Sequence, residues 1–307
     1  SPTAVVKISD GTYFVSDKLN HRVVKLDANF NYIDQFGETD VQGSDNTHLR
    51  SPVGLAVSGA QEDIIVADTG NHRVVRLDKN LNYISQFGIT GVPGPDNTHC
   101  NQPSWVAANV TEIVFSDRMN HRVVRLNTSM VYQSQYGITN TPGSGIGGLN
   151  EPTGVALTAS GFGNGLWIAD YQNGRIVVLD RTSLTFKYEI GPKSKSNTLA
   201  VGPICDIAQD SSGNLYITRP DDSTISKYNA ELSLLSQFGK SGVAGKGTSL
   251  ADWPLGMSID EVNGFLYVCD RGNDRVLKLS LSNLSYSGQY GTDKHQFHDV
   301  HLLGQEP

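Results

Sequence analysis

Short apolar runs separated by turn residues recur along the whole chain. Runs of Val, Ile, Leu, Tyr and Phe, as in "DIIVAD" and "HRVVRLD", alternate with clusters of Gly, Asn, Asp and Pro. This pattern is typical of strands joined by tight turns. No stretch repeats its apolar residues with the period of about 3.6 that marks an amphipathic helix. The pattern therefore predicts an all-β chain.

The same text returns at a nearly fixed interval. "NHRVVKLDANFNYIDQFG" begins at Asn20, and near copies begin at Asn71 and Asn120. An aspartate just before this text, here called the anchor, recurs at spacings of 49 to 53 residues, with Arg219 in its place in the fifth of six copies. Each copy holds four strand-like runs, so the chain is predicted to be a six-bladed β-propeller of four-stranded antiparallel blades.

The copies set the expected domain organisation. We expect one domain over residues 1–307, with repeats at about 2–37, 52–88, 103–137, 152–191, 203–239 and 254–291. The tail, 292–307, is expected to run beside the start of blade 1 and to close the ring. The chain begins with Ser-Pro, without an initiator methionine or a signal-peptide core, which indicates a processed product or an excised module of a larger chain.

The text "D-x-x-N-H-R-V-V" resembles the signature of NHL-repeat propellers. The resemblance is strong in copies 1 to 3, good in copies 4 and 6, and degenerate in copy 5. Asp and Asn three residues apart favour a tight turn, because their side chains bond to nearby amides. The following Arg is expected to extend its stem over apolar surface. We predict a structural turn role for Asp17, Asn20, Asp68, Asn71, Asp117, Asn120, Asp170, Asn173, Asp270 and Asn273.

Function is then expected in what differs between the copies. The connections between blades and the turns after the anchors share one face, the upper face, where the loops are long and varied. Arg and aromatic side chains on such a face are typical of binding hot spots. The candidate binding residues are Lys18, His48, His99, Trp105, Arg118, Tyr171, Arg219, Trp253 and Arg271. For Trp105, filling of the core is an equal alternative, and loop support is the alternative for the two histidines.

The same sequence disfavours the metalloenzyme alternatives. The loop "PGPDNTHCNQPSWVAA" resembles that of peptidyl-hydroxyglycine amidating lyase, but the positions of that enzyme's zinc histidines hold Val53, Ser104, Thr153, Ile204 and Leu255. A lactonase-like metal cage is disfavoured, because the anchors recur as part of the turn motif. The tail text "HQFHDVH" is predicted to be a strand, which places neighbouring histidines of His295, His298 and His301 on opposite faces. We expect no enzyme activity and no cofactor.

Charge and composition limit the classes of partner that we expect. The net charge of −7 argues against a general attraction to nucleic acid. NHL domains of tripartite-motif proteins bind single-stranded RNA, yet the upper loops here lack interleaved aromatics. We expect a protein or glycan partner. No apolar run approaches the roughly 20 residues of a membrane span.

Two further features bear on location. The sequons at Asn109, Asn127 and Asn283 fall in predicted lower-face turns and are candidate glycosylation sites, which favours an extracellular or cell-surface protein over a cytoplasmic one. The three cysteines form neither a disulfide scaffold nor a metal pair, and they are read as small buried residues or one incidental bridge: Cys100, Cys205 and Cys269.

Overall fold

A computed structural model describes residues 1–158, 164–191 and 204–291. It consists of six antiparallel sheets of four strands each, so the predicted six-bladed β-propeller is confirmed. Blade 1 comprises β1 (Pro2–Lys7), β2 (Tyr13–Asp17), β3 (Arg22–Leu26) and β4 (Tyr32–Phe36). Blade 2 comprises β5 (Leu55–Ser58), β6 (Asp63–Asp68), β7 (Arg73–Leu77) and β8 (Tyr83–Phe87). Blade 3 comprises β9 (Pro103–Ala108), β10 (Glu112–Asp117), β11 (Arg122–Asn127) and β12 (Tyr132–Tyr136).

The remaining blades follow the same order. Blade 4 comprises β13 (Pro152–Thr158), β14 (Gly165–Asp170), β15 (Arg175–Asp180) and β16 (Phe186–Ile190). Blade 5 comprises β17 (Asp206–Gln209), β18 (Leu215–Arg219), β19 (Thr224–Tyr228) and β20 (Leu234–Phe238). Blade 6 comprises β21 (Pro254–Asp260), β22 (Phe265–Asp270), β23 (Arg275–Ser280) and β24 (Tyr286–Tyr290). Helical structure in the described residues is limited to the 3-10 turns Lys18–Asn20, Thr69–Asn71, Arg118–Asn120, Tyr171–Asn173 and Arg271–Asn273, and no helix among them could cross a membrane.

The inner strands close into a ring around a central channel. Each of β1, β5, β9, β13, β17 and β21 packs against the next, and β21 packs against β1. The seam between the last and first blades is thus formed by the inner strands themselves. All strands lie within the predicted repeat boundaries. The closing role predicted for residues 292–307 lies outside the described residues.

The hydrophobic core is divided among the seams. Five clusters of buried apolar side chains each fill the space between two neighbouring blades. The sixth fills the space between blades 3 and 4 and extends across the channel to residues of blades 2, 5 and 6. The three cysteines are buried free thiols in three different clusters. Burial between blades explains why the β-branched runs of the repeat, such as Val74 and Val75, are almost completely inaccessible to solvent.

Alternate blades carry glycine at the top of the inner strand. These are Gly54, Gly154 and Gly256, in blades 2, 4 and 6. A Cβ at Gly54 would lie 2.7 Å from the carbonyl oxygen of Ser104 and 2.7 Å from Cα of Trp105. The other two glycines approach the backbone of the following blade equally closely. Three of the six seams are therefore tight at this level, and only a residue without a side chain fits there.

Replacement of Gly54 with Ala is expected to lower the free energy of unfolding by about 1–3 kcal/mol, because the added methyl group forces two backbones apart. Urea unfolding followed by tryptophan fluorescence measures this. Gly145→Ala is the matched control, since a Cβ there meets no atom within 4 Å. Equal stability of the two variants would show that the seam accommodates the methyl group.

Candidate functional site

A buried polar network repeats at the upper ends of the second and third strands. In blade 2 the carboxylate of Asp68 accepts hydrogen bonds from Asn71 Nδ2 (2.8 Å), from Arg73 Nε (2.7 Å) and from the backbone N–H of Arg50 (2.7 Å). Burial raises the pKa of Asp68, and the guanidinium of Arg73 counteracts this effect. Corresponding donors meet the anchors Asp17, Asp117, Asp170 and Asp270.

The arginine of each anchor network uses its remaining donors outside the Asp pair. Arg73 Nη1 donates to Gln86 Oε1 of the same blade (2.9 Å) and to Thr90 Oγ1 in the loop that follows it (3.2 Å). Its Nη2 donates to the carbonyl oxygens of Asp45 and His48, both at 2.8 Å, in the loop that enters the blade. All five N–H groups of this guanidinium therefore have acceptors, which is what its burial requires.

Four upper loops are held in the same register although their sequences differ. They read "GSDNTH", "GPDNTH", "GSGIGG" and "GKGTSL" and begin at Gly43, Gly94, Gly143 and Gly245. The carbonyl of each opening glycine accepts from the asparagine of the blade that follows. Later carbonyls accept from the arginine: Pro95, Asp96 and His99 for Arg122; Ser144, Gly145 and Gly148 for Arg175; Lys246, Gly247 and Leu250 for Arg275.

The expectation that this arginine extends over the surface is wrong. Arg22, Arg73 and Arg122 are at most 1% exposed. The anchor carboxylate neutralises the charge, and for Arg73 and Arg122 the loop carbonyls satisfy the outer donors, so the side chain is stable in the interior. The residues of the repeated motif thus hold the upper loops in place as well as stabilising the blades beneath them.

The histidine of the repeat links neighbouring blades. His21, His72 and His121 adopt left-handed backbone conformations with φ between 54° and 56°. Burial lowers the pKa of His21 and of His72, which keeps the imidazole neutral and Nδ1 available as an acceptor. Each Nδ1 accepts the backbone N–H of a residue in the next blade: Ser51 (3.0 Å), Gln102 (3.2 Å) and Glu151 (3.1 Å).

The first residues of the 3-10 turns surround the upper opening of the channel, here called the mouth: Lys18, Thr69, Arg118, Tyr171 and Arg271. Two of them contact the next blade where its inner strand begins. Arg118 Nη2 lies 2.6 Å from Oε2 of Glu151, the residue before β13, and Thr69 Oγ1 donates to the carbonyl of Pro103 at 2.7 Å. Burial and the neighbouring guanidiniums of Arg271 and Arg118 lower the pKa of Lys18. Like charges are therefore crowded at the mouth.

Arg219, predicted to join this surface, is buried instead. It is 5% exposed, its Nη2 donates to Ser226 Oγ at 3.2 Å, and its Nε lies 3.9 Å from Asp222 Oδ2. The physical reason is that Arg219 occupies the anchor position, which is buried in the other blades as well. Blade 5 also has Thr224 in place of the network arginine.

Trp105 closes the channel below the mouth. It is 6% exposed and belongs to one apolar cluster with Val53, Cys205 and Leu255, which come from three other blades. Burial raises the pKa of the Cys205 thiol, so the thiol is neutral at physiological pH. The structure supports the interpretation that Trp105 fills the core. Its side chain forms the floor of the mouth.

Below this floor lies a cavity of about 230 Å³, lined by the inner strands of all six blades. Asp206 is buried in its wall and accepts the backbone N–H groups of Ile207 and Met257, both at 2.9 Å, together with a hydrogen bond from Trp105. Burial raises the pKa of Asp206 to about 7. Asp206 is not among the sequence-derived candidates, although a signal existed. Counted from the proline before the inner strand, the same position holds Val5, Leu55, Val106, Val155 and Met257 in the other copies. In the structure the strand register places Ile207 at that position and shifts Asp206 by one residue.

Two exposed apolar residues at the mouth were also not selected. Leu19 is 52% exposed and Met119 is 37% exposed, and each follows a mouth cation directly on its 3-10 turn. The equivalent positions in other copies are Gly70, Gln172 and Gly272. An apolar residue where other copies are small or polar was the available signal.

Of the other upper-face candidates, two histidines make contacts within their own loops, and one tryptophan is exposed to solvent. His48 Nδ1 lies 2.8 Å from Asp45 Oδ1, and His99 Nδ1 lies 2.7 Å from Asp96 Oδ1, within the same loops. The carboxylate of Asp45 raises the pKa of His48. Both histidines therefore make loop-supporting contacts. Trp253 is exposed on the upper face, with a left-handed φ of 54°.

The anchor aspartates do not converge on a common point, because each carboxylate is engaged by residues of its own blade and the loop entering it. Residues 1–158, 164–191 and 204–291 contain no group of three or more His, Cys, Asp or Glu side chains that could hold a metal ion. His295, His298 and His301 lie outside these residues. The sequon asparagines lie at the lower ends of their blades, next to the turns that join β9 to β10, β11 to β12 and β23 to β24: Asn109, Asn127 and Asn283.

Comparison with known proteins supports the fold. Residues 49–77 match the NHL repeat model, as the sequence motif predicted. No curated protein sequence matches the chain. Virginiamycin B lyase from Staphylococcus aureus is similar in structure, with 14% identity over 94% of this chain and 83% of that chain and a TM-score of 0.60.

Two further solved structures are similar. A gluconolactonase from Xanthomonas campestris shares 13% identity over 88% of this chain and 82% of that chain, with a TM-score of 0.60. A chain of a nidogen/laminin complex shares 13% identity over 94% and 95%, with a TM-score of 0.63. At these identities the likeness shows a common propeller fold, in proteins with different functions.

Proposed function

We propose that the chain is a non-catalytic recognition scaffold that binds a protein or glycan partner through its upper face and the mouth. The observation that carries the proposal is the crowding of Lys18, Arg118 and Arg271 above a closed floor. Within the described part of the chain, only Arg118 of these three has an ion-pair partner, Glu151. Crowded like charges oppose each other, and a ligand group placed between them relieves that cost.

The arrangement below the mouth favours binding over catalysis. Trp105 separates the mouth from Asp206, so the one channel carboxyl with a strongly raised pKa does not face a ligand bound from above. The anchor carboxylates are occupied by their arginines and asparagines, which leaves them unsuited to hold a metal as a lactonase-like or amidating-lyase-like site requires. We further propose an extracellular or cell-surface location, because the three sequons lie away from the upper face.

A binding screen tests this proposal. We expect a displayed peptide library or a glycan array to yield ligands whose affinity falls about tenfold or more in the Lys18→Met/Arg271→Met variant or in Trp253→Ala, as truncation of anchor residues usually does. The matched control is Lys79→Met/Lys187→Met, which removes two charges away from the upper face. Ligands that bind all of these variants equally would contradict the proposal. So would turnover of a lactone or a peptidyl-hydroxyglycine substrate by the metal-supplemented chain.

A further inference from the structure

Three cations of the upper face lie at the mouth. Three more are exposed on the surrounding loops, Arg50, Lys240 and Lys246, where exposed acidic side chains outnumber them in the described residues. Lys18, Arg118 and Arg271 surround the opening, with Glu151 as the carboxylate paired there. The surrounding loops carry acidic side chains, several of them exposed, among them Asp40, Asp45, Asp96 and Asp221. A small positive centre inside an acidic surround attracts one or two anionic groups and repels a long polyanion.

Exposed apolar side chains stand directly beside these cations. Leu19 follows Lys18 on one 3-10 turn, and Met119 follows Arg118 on another. Both side chains are solvent-exposed although no packing requirement of the fold places them there, since other blades have glycine or glutamine at this position. Aliphatic surface next to a cation matches a peptide that alternates acidic and apolar side chains.

The closed floor determines how such a ligand lies. Because Trp105 and its apolar neighbours close the channel directly below the mouth, a bound segment crosses the mouth and does not thread through the channel. Its carboxylates then face Lys18 and Arg271, and its apolar side chains contact Leu19 and Met119. We propose that the partner is a protein that presents an extended segment of alternating acidic and apolar residues to the mouth. This inference rests on the proposed function and specifies its partner.

Nucleic acid fits the same surface less well. Single-stranded RNA binding needs a continuous positive track with aromatic side chains on which bases stack. The exposed cations outside the mouth lie on two separate loops, with Arg50 on one and Lys240 and Lys246 on the other. In the described residues, the aromatics near the inner strands of the upper face are the exposed Trp253 and the partly exposed Tyr171, which do not form a stacking series. A protein segment therefore fits the mouth better than RNA, and the experiment below includes an RNA of similar length.

Short acetylated peptides labelled with a fluorophore provide the test. One alternates Glu with Leu, a second replaces every Glu with Gln, and a third replaces every Leu with Ser. We expect fluorescence anisotropy to show binding of the Glu–Leu peptide about tenfold or more tighter than either of the others. Affinity should decrease with added salt, because exposed charges are screened. Lys18→Met/Arg271→Met and Leu19→Ser/Met119→Ser should each weaken binding, while Lys79→Met/Lys187→Met should not.

Three results would overturn the inference. One is equal binding of the Glu–Leu and Gln–Leu peptides, and the second is insensitivity of Glu–Leu binding to both mouth variants. The third is tighter, mouth-dependent binding of a single-stranded RNA of similar length. If neutral glycans or neutral peptides from the screen instead bind in a manner that depends on Trp253, the recognition role stands and the acidic–apolar partner is excluded. The two proposals are thus distinguishable.

Discussion

Replacement of Arg73 with Met is expected to lower the free energy of unfolding by about 3–5 kcal/mol, the range found when one partner of a buried ion pair is removed. The change leaves the buried carboxylate of Asp68 without its cation. It also leaves the carbonyl oxygens of Asp45 and His48 without their donor. Chemical unfolding monitored by tryptophan fluorescence and circular dichroism measures the loss. If the variant does not fold, the double variant Asp68→Leu/Arg73→Met is expected to recover part of the stability, since no unpaired charge remains.

Arg50→Met is the control for this experiment. Arg50 is exposed and lies near the same anchor, which it contacts through its backbone N–H alone. Its side-chain replacement is expected to change stability by no more than about 0.5 kcal/mol. Should Arg73→Met unfold at the same denaturant concentration as Arg50→Met, the anchor network does not stabilise the fold.

Replacement of Asp206 with Asn is expected to remove a pH-dependent destabilisation of the propeller. Burial raises the pKa of Asp206 from 3.8 to about 7, so the folded state favours the neutral carboxyl. A group whose pKa is raised on folding contributes full stability below its unfolded pKa and loses it as the pH rises through the folded pKa. The wild type should therefore lose stability relative to the Asn variant between about pH 4 and pH 7, by up to about 4 kcal/mol.

Thermal melting of both proteins across this pH range provides the measurement. The difference between the curves isolates Asp206 from the other titrating groups. Asn retains a carbonyl oxygen for the backbone N–H of Met257, so the cavity wall is expected to stay intact. Asp34→Asn, on the exposed outer strand of blade 1, is the control and should show no such divergence. A wild type and an Asp206→Asn variant that melt in parallel at all pH values would mean that the carboxyl is ionised without cost.

The blades were predictable from the sequence because the signal for them is redundant. Six copies carry the same alternation of apolar runs and turn residues, so errors in one copy are corrected by the others. The burial of Arg73 was not predictable in the same way. Its Nη2 group donates to backbone carbonyls of the preceding loop. Every residue has a backbone carbonyl, so the sequence does not reveal which of them will lie near the arginine.

The mouth was predicted in part, and the misses have specific causes. Lys18, Arg118, Tyr171 and Arg271 lie at the channel opening because they directly follow anchors, and that position is fixed by the repeat. The prediction for Arg219 is wrong, because this residue occupies an anchor position and anchor positions are buried whatever their side chain. The sequence alone leaves the role of Trp105 open, because a large residue where other copies have small ones can either fill the core or contact a partner. The structure shows that it packs with residues of three other blades and belongs to the core.

The hydrogen bonds from the repeat arginines to the upper-loop carbonyls have a consequence for engineering. Because the guanidinium holds main-chain oxygens of the loop entering its blade, this attachment does not depend on which side chains the held residues carry. The segments "SDNTH", "PDNTH", "SGIGG" and "KGTSL" illustrate this independence within one molecule. These four sequences differ, yet their loops are attached through carbonyls at corresponding positions. The propeller therefore suits the display of varied loop sequences, provided that the opening glycine and the loop length are kept.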